Sequence, residues 1–355
     1  FSVGTGQRFL GFAVSSRHFS ASSLALGKAL VYSEYGAPER VLELKEQPSE
    51  SVSSGKVLVK MLGATINPAD INMIQGTYGS SSSLPAVAGN EGVGVIEDPG
   101  TSKLKKGDWV IPTKPGFGTW RTEFTASSDE LLVVPNDIPM EYAAGISSNP
   151  CTAFRLLSDF GNLKEGDVVI QNAANSAVGQ CVTQIAKSRG IKVINVIRSR
   201  EDKELKALKK KMSDYGAENI VTEEELAGPS SDTFKGLPKP KLAINSVGGS
   251  SATNIAKRLD QGGHMVTIGG MSRKPILVPT GAMIFKDLTF EGFWMTRWIL
   301  NSSSNDRMEM INEIAKLIKD KKLKLWYETV PLESYQESIK RSMEQRKDCK
   351  LVFKF

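Results

Sequence analysis

After about Asn149 the chain alternates short apolar strands with amphipathic helices, and few architectures accept that order. Val168-Val169-Ile170-Gln171 reads as a strand. A helix over 176–189 follows, with Val178, Val182 and Ile185 at helical spacing and Gly190 as its stop. A strand over 192–197 and a helix over 201–212 come next, and apolar runs at 241–245 and 265–268 continue the series. Strands linked by helices pair in parallel, so the pattern predicts a doubly wound α/β sheet. An amphipathic helix over 306–320 carries Met308, Ile311, Ile314 and Ile318 on one face. Upstream, from Ala29 to about Glu141, short strands (57–61, 92–96, 131–134) are broken by Gly, Pro, Asn and Ser, and Gly107-Asp108 introduces another. That spacing predicts a strongly bent, mostly antiparallel β-domain.

A length of 355 residues favours about two domains, and 40% hydrophobic with 24% charged residues is ordinary for a globular chain. No apolar run approaches the ~18 residues needed to span a bilayer. Three cysteines (Cys151, Cys181, Cys349), odd in number and far apart, make a poor disulfide framework and fit a reducing compartment. The net charge of +6 suggests nucleic acid at first sight. Residues 1–30, however, hold Arg8, Arg17 and Lys28 with no acid, and beyond them 42 basic residues face 39 acidic ones. The body is only mildly basic, which removes nucleic acid as a leading partner. Residues 1–28 are Ser-rich, carry Arg without Asp or Glu, and interleave Phe9, Leu10, Phe12 and Val14 with polar residues. They read as a transit peptide, with Arg17-His18-Phe19-Ser20 pointing to the mitochondrial matrix, or else as a disordered tail.

A dinucleotide pyrophosphate sits where the first strand of such a sheet turns into its helix. Here the turn is Asn172-Ala173-Ala174-Asn175-Ser176-Ala177-Val178-Gly179, which retains only the last glycine of the usual fingerprint. Taken alone, it reads equally as an ordinary strand–helix connection. The end of the next strand strengthens it. An NAD site places an acid ~20 residues after the glycines to hold the ribose hydroxyls. This chain has Arg198 and Arg200 there, with Ser199 between and no acid before Glu201. Guanidinium groups bind a 2′-phosphate bidentately, so the pair selects NADPH; the plain alternative is two surface arginines at a strand end. Two histidines and no C-x-x-C pair give a zinc site little to draw on, so no metal is expected. His264 reads as an ordinary hydrogen-bonded histidine, and Cys151 and Cys181 as small buried hydrophobes.

Several stretches together resemble the medium-chain dehydrogenase/reductase superfamily, and within it the mitochondrial trans-2-enoyl-thioester reductases. They include Tyr35-Gly36, Asn67-Pro68-Ala69-Asp70, Gln75-Gly76-Thr77-Tyr78-Gly79 and Gly89-Asn90-Glu91-Gly92. Asn149-Pro150-Cys151-Thr152-Ala153, the 175–180 turn, Ile268-Gly269-Gly270-Met271 and Gly292-Phe293-Trp294 complete the set. The resemblance runs from about Lys28 to Phe355. It implies a β-rich GroES-like catalytic domain (29–149 and 306–355) and a Rossmann NADPH-binding domain (150–305). Zinc-dependent relatives carry Gly-His-Glu where this chain has Gly89-Asn90-Glu91, and a cysteine in place of Asn67. Ala177 and Ser199 depart from the reductase pattern, which often has Gly and Asp there.

The resemblance further implies reduction of a 2-enoyl thioester by NADPH, with hydride to Cβ and a proton from Tyr78 to Cα. A phenol keeps its proton at neutral pH yet donates to a basic enolate carbon; read from the residues alone, Tyr78 is equally a turn tyrosine placed for packing. Similarity assigns to the cofactor Asn149, Asn175, Ser176, Ala177, Val178, Arg198, Ser199, Arg200, Ile268, Gly269, Gly270, Met271, Phe293, Trp294, Met295, Thr296 and Lys350. Phe293, Trp294, Trp298 and Phe285 are expected as an aromatic cluster for the alkyl chain, or as domain or dimer packing. Lys286 and Arg297 are expected near the mouth, facing an acyl carrier protein or coenzyme A. A homodimer is expected through the sheet edge at Leu288-Thr289-Phe290. The competing functions are a zinc-free quinone or small-enone reductase and a non-catalytic binding protein on the same fold.

Overall fold

A computed structural model describes residues 1–2, 26–48, 52–79, 83–228, 234, 236–344 and 349–355. The expected transit peptide falls almost wholly outside them. Six parallel strands form the nucleotide-type sheet, in the order Asn219–Thr222, Lys192–Ile197, Val168–Gln171, Leu242–Asn245, His264–Thr267, Thr289–Gly292. The chain order reverses between Val168–Gln171 and Leu242–Asn245, and a doubly wound sheet opens its ligand crevice at that reversal.

The other large sheet begins with the parallel pair Tyr327–Pro331 and Lys350–Lys354. It continues antiparallel through Lys56–Thr65, Gly92–Asp98, Trp109–Pro112 and Leu131–Val134, and Glu123–Ser127 also pairs with Lys56–Thr65. A small antiparallel sheet joins Leu26–Tyr32 to Glu43–Pro48 and Ala86–Val87. The last two strands of the chain thus complete the β-rich half, although residues 135–326 intervene; hydrogen bonds to Lys56–Thr65 are what bring them back.

One continuous core serves both large sheets. Val93, Ile111 and Leu132 pack in the same cluster as Val169, Val182 and Ile244, and Met310, Ile311 and Ile314 of the helix Ser304–Lys319 belong to it too. Polar side chains fix how the two parts meet. On the helix Ala177–Ser188, the Gln184 amide donates to the Lys324 carbonyl at 2.7 Å and accepts from the Lys324 N–H at 2.8 Å. The Gln180 carbonyl accepts from the Trp326 N–H at 3.3 Å, so one helix face grips the segment entering Tyr327–Pro331.

The turn before that helix explains its one retained glycine. A Cβ on Gly179 would lie 2.5 Å from the Ala174 carbonyl oxygen, so helix and turn meet backbone to backbone. Ser176 caps the helix, its Oγ accepting from the Gly179 N–H at 3.2 Å. Ala173 supplies the reversal with φ of +49°, a conformation that an L-residue holds only when its neighbours fix it. Here they do, for the Ala174 N–H bonds the Val196 carbonyl and the Ser176 N–H bonds that of Ala173.

Candidate active site

A cavity of about 120 Å³ lies between the β-rich half and the segment after Thr289–Gly292. Its polar end is built on Glu91, which is 4% exposed. A carboxylate taken out of water has to recover its hydrogen bonds from the protein. Glu91 Oε2 accepts from Thr65 Oγ at 2.9 Å and from Asn67 Nδ2 at 2.9 Å, and Oε1 from Ser147 Oγ at 3.0 Å and the Ser148 N–H at 2.6 Å. Thr65 and Asn67 belong to the β-rich half, while Ser148 is the residue before the helix Asn149–Asp159. Asn149 Nδ2 reaches Asn67 Oδ1 at 3.4 Å, so the expected cofactor residue is held by the same group.

Asp70 supports this floor from behind. Its Oδ2 accepts from the Asn67 N–H at 2.7 Å, and its Oδ1 accepts from the Asn90 N–H at 2.9 Å and Nδ2 at 2.6 Å. Asn67 and Asn90, which stand where zinc-dependent relatives carry ligands, are both engaged as amides. Among the described residues no group of three His, Cys, Asp or Glu side chains is gathered to hold a metal ion. Burial pushes the Asp70 carboxyl up to about 6; the hydrogen bonds from Asn67 and Asn90 and the positive charge of Lys350 oppose the rise, and Glu91 adds to it. Lys350, expected at the cofactor, is itself 8% exposed and lies on the strand Lys350–Lys354.

Tyr78 lines the cavity at the bend after the helix Pro68–Ile74. Trp294 Nε1 donates to its hydroxyl at 2.9 Å, and the rings meet edge to face with centroids 5.9 Å apart. Because an indole N–H only donates, the phenolic oxygen accepts here and its own proton remains to be given elsewhere. Met295 and Thr296 line the cavity beside Trp294, opposite Ile111, Leu132, Met310 and Ile311. Cys151 also reaches it, and burial holds that thiol well above its ordinary range, so it is no nucleophile.

The nucleotide crevice opens at the strand reversal, where Asn172 ties both sides together. Its Nδ2 donates to Asn245 Oδ1 at 2.8 Å and to Ser251 Oγ at 3.0 Å, and its Oδ1 accepts from the Ser246 N–H at 2.7 Å. Around it lie Asn175 to Val178 at the helix start and Ile268 to Met271 after His264–Thr267. Ile268 bonds Asn245 and Met271 bonds Ser246 through backbone N–H groups. Arg198, Ser199 and Arg200 follow Lys192–Ile197 at the same edge. The residues suit a dinucleotide: a helix start that offers amides to an anion, a backbone approach no Cβ would allow, and two guanidinium groups at the second strand end.

Some expectations need correcting. The four aromatic residues form no single cluster. Trp294 joins Tyr78, but Phe293 packs edge to face on Phe160, Trp298 carries the Arg155 guanidinium at 4.8 Å, and Phe285 is 77% exposed. Trp294 stands at the start of the helix Met295–Asn301, ahead of Trp298, and Phe285 belongs to a different helix, Thr280–Lys286. Lys286 is spent on helix capping, donating to the Lys257 and Leu259 carbonyls at 3.0 Å each. Arg297 does stand beside the cavity, 5.9 Å from the Trp294 ring centre. An acid that the sequence did not signal also enters: Ser199 Oγ donates to Glu224, and that bond is the main cause of the lowered Glu224 carboxyl pKa. Glu224 lies 25 residues downstream, and only parallel pairing of Asn219–Thr222 with Lys192–Ile197 brings it alongside. Asn172 and Asn245 were likewise invisible as a pair.

Residues 53–136 match the family model for the alcohol dehydrogenase GroES-like domain, and residues 177–316 match that for zinc-binding dehydrogenases. Mitochondrial enoyl-acyl-carrier-protein reductase of Xenopus tropicalis is 49% identical, covering 94% of this chain and 96% of its own length. The Homo sapiens protein of that name is 46% identical over 93% and 89% of the respective chains. Among solved structures, the Etr1p/NADP/crotonyl-CoA complex is 32% identical and superposes with a TM-score of 0.84 over 93% of this chain and 100% of that one. Pseudomonas syringae quinone oxidoreductase, 22% identical with a TM-score of 0.76 over 93% and 100% of the chains, shares the fold.

The raised Asp70 carboxyl carries a pH signature. The folded protein binds that proton more tightly than the unfolded chain, so the contribution is complete below the ordinary value of 3.8 and lost as pH rises toward about 6. The change is on the order of 3 kcal/mol. Urea unfolding across this window is expected to show falling stability in the native protein and a flatter profile in Asp70→Asn; parallel profiles would refute the assignment.

Proposed function

The chain belongs to the enoyl-acyl-carrier-protein reductase family of medium-chain dehydrogenases, and from that membership we propose how its cavity carries out the reaction. It is a mitochondrial oxidoreductase that reduces the trans-2 double bond of enoyl thioesters with NADPH. When bound, NADPH supplies the hydride, which goes to Cβ of the substrate.

The observation that carries the reading is the Trp294–Tyr78 hydrogen bond in the cavity wall. As negative charge builds on the thioester oxygen, Tyr78 gives its proton to Cα, and the Trp294 N–H stays on the phenol oxygen to steady the charge left there. Met295 and Thr296 border the reacting end of the cofactor, as does Asn149, which the Glu91 network fixes. The apolar wall of Ile111, Leu132, Met310 and Ile311 takes the alkyl chain and excludes water. The pyrophosphate lies against Asn175, Ser176, Ala177 and Val178, with Ile268, Gly269, Gly270 and Met271 across the crevice. Arg198, Ser199 and Arg200 hold the 2′-phosphate. Phe293, packed on Phe160, and Trp294 stand on the cofactor's side, and Lys350 contributes positive charge at the floor.

Exposed Arg297 and Lys114 beside the cavity suit the phosphates of coenzyme A or an acidic acyl carrier protein. The edge strand Thr289–Gly292, which among the described residues pairs on one side only, lies next to exposed Met283, Ile284 and Phe285 and suits pairing with a second copy.

In NADPH-linked assays with 2-hexenoyl-CoA, Tyr78→Phe is expected to lower kcat by about 10²-fold or more, the scale of one proton-donating group, with NADPH affinity retained. An unaltered kcat would remove Tyr78 from the chemistry. Replacing Arg198 and Arg200 with Ala is expected to weaken NADPH by at least about tenfold while leaving NADH nearly unchanged; equal weakening would show that the pair does not read the 2′-phosphate. Sedimentation at micromolar concentration is expected to give two chains per particle, and Phe285→Asp a single one. A native monomer would dismiss the dimer.

A further inference from the structure

We infer that Glu224 is a specificity-determining residue: its carboxylate stands against the 2′-phosphate at the rim formed by residues 198–200 and so narrows the enzyme's preference for NADPH over NADH. The inference rests on the reading of Arg198, Ser199 and Arg200 as the 2′-phosphate site. Ser199, between the two arginines, donates its hydroxyl to the Glu224 carboxylate. That hydrogen bond is the main cause of the lowered Glu224 pKa, so the group is an anion at neutral pH. A hydroxyl makes the contact possible; an aspartate, which the reductase pattern often has in place of Ser199, would repel the carboxylate.

Parallel pairing places Glu224 there. Ile197 lies opposite Thr222 in the register, so residues 198–200 and 223–225 leave neighbouring strands side by side. Acids in the first turn of a helix are ordinary, because they meet its positive end. In the helix Glu223–Ala227, however, the three glutamates have separate tasks. Glu225 closes the capping box, its Oε2 accepting from the Thr222 N–H at 2.7 Å, and its Oε1 lies 3.5 Å from Lys209 Nζ. Glu223 Oε1 accepts from Ser251 Oγ at 2.9 Å, and Ser251 Oγ in turn accepts from Asn172 at the crevice. Glu224 instead takes the Ser199 hydroxyl, so the fold of its own helix does not depend on it.

Charge decides the consequence. A phosphate monoester carries about −1.5 to −2 charges at pH 7. The two arginines attract it and Glu224 repels it. NADH has a hydroxyl in that place, which can donate to the same carboxylate, as ribose hydroxyls do to the acid at the second strand end of an NAD site. Here the acid reaches the rim from the next strand, and it penalises the phosphate while serving the hydroxyl. Glu224 and Ser199 are both exposed, so salt screens the penalty.

The test is calorimetric titration of adenosine 2′,5′-bisphosphate and 5′-AMP, which probe this rim without the nicotinamide, into the native protein, Glu224→Gln and Glu224→Asp. NADPH and NADH are titrated beside them. In Glu224→Gln the affinities for the bisphosphate and NADPH are expected to rise about tenfold at low salt, the scale of one like-charge contact removed. Those for 5′-AMP and NADH are expected to hold or weaken. The gain is expected to shrink to about twofold at about 1 M salt, where the screening length is about 3 Å. Glu224→Asp, which keeps the charge, is expected to stay near native. An unaltered bisphosphate affinity in Glu224→Gln overturns the inference. So does an equal change for the bisphosphate and 5′-AMP, which would mean that Glu224 only shapes the loop. A native protein that binds the bisphosphate no more tightly than 5′-AMP would instead remove residues 198–200 from the 2′-phosphate, and the inference with them.

Discussion

Glu91 ties the β-rich half to the segment that enters the helix Asn149–Asp159 at the floor of the cleft. Its side chain is almost fully buried, and all four of its hydrogen bonds come from elements that must be correctly placed at once: Thr65 and Asn67 on one side, Ser147 and the Ser148 N–H on the other. A carboxylate left unpaired at such a site would cost several kcal/mol, so assembly of the cleft and satisfaction of this group are one event. Asn149 and Asn67 inherit their positions from it. Gln184 performs the corresponding task on the outer side, reading both backbone groups of Lys324.

The chemistry then falls on a contact between the two parts. Tyr78 comes from the β-rich half and Trp294 from the segment leaving the last strand of the nucleotide sheet, 216 residues apart. Their hydrogen bond joins the two parts, so the Tyr78 hydroxyl is oriented only when the cleft is assembled. The floor beneath them is polar and hydrogen-bonded, whereas Ile111, Leu132, Met310 and Ile311 make part of the wall apolar.

At the nucleotide end, charge selects the cofactor and backbone geometry admits it. Two arginines favour a 2′-phosphate, and Glu224, through Ser199, adds an anion at the same rim. Gly179 and the Ala173 reversal bring the turn close enough for helix amides to meet an anion. Asn172 bridges the strand reversal and keeps the crevice at fixed width.

Local pattern was enough for much of this. Strand and helix spans at Val168–Gln171, Ala177–Ser188 and Lys192–Ile197 were legible because hydrophobic period and the flanking Gly and Ser are set by neighbours a few residues apart. The place of Arg198 and Arg200 just after a strand was legible because the apolar run over 192–197 marks where that strand ends. Tyr78 was singled out only by resemblance to a known motif, since a tyrosine between two glycines has no local signature. The grouping of Glu91 with Ser147 and of Ser199 with Glu224 was left to the tertiary structure, as were the separate fates of Phe285 and Trp294. Each joins residues whose spacing in the chain carries no period, so only the packing of the sheets decides that they meet. The sequence by itself determined the layers, the cofactor charge and the amide replacements at Asn67 and Asn90; folding decided which side chains share a cavity, because long-range burial must satisfy every polar group it encloses.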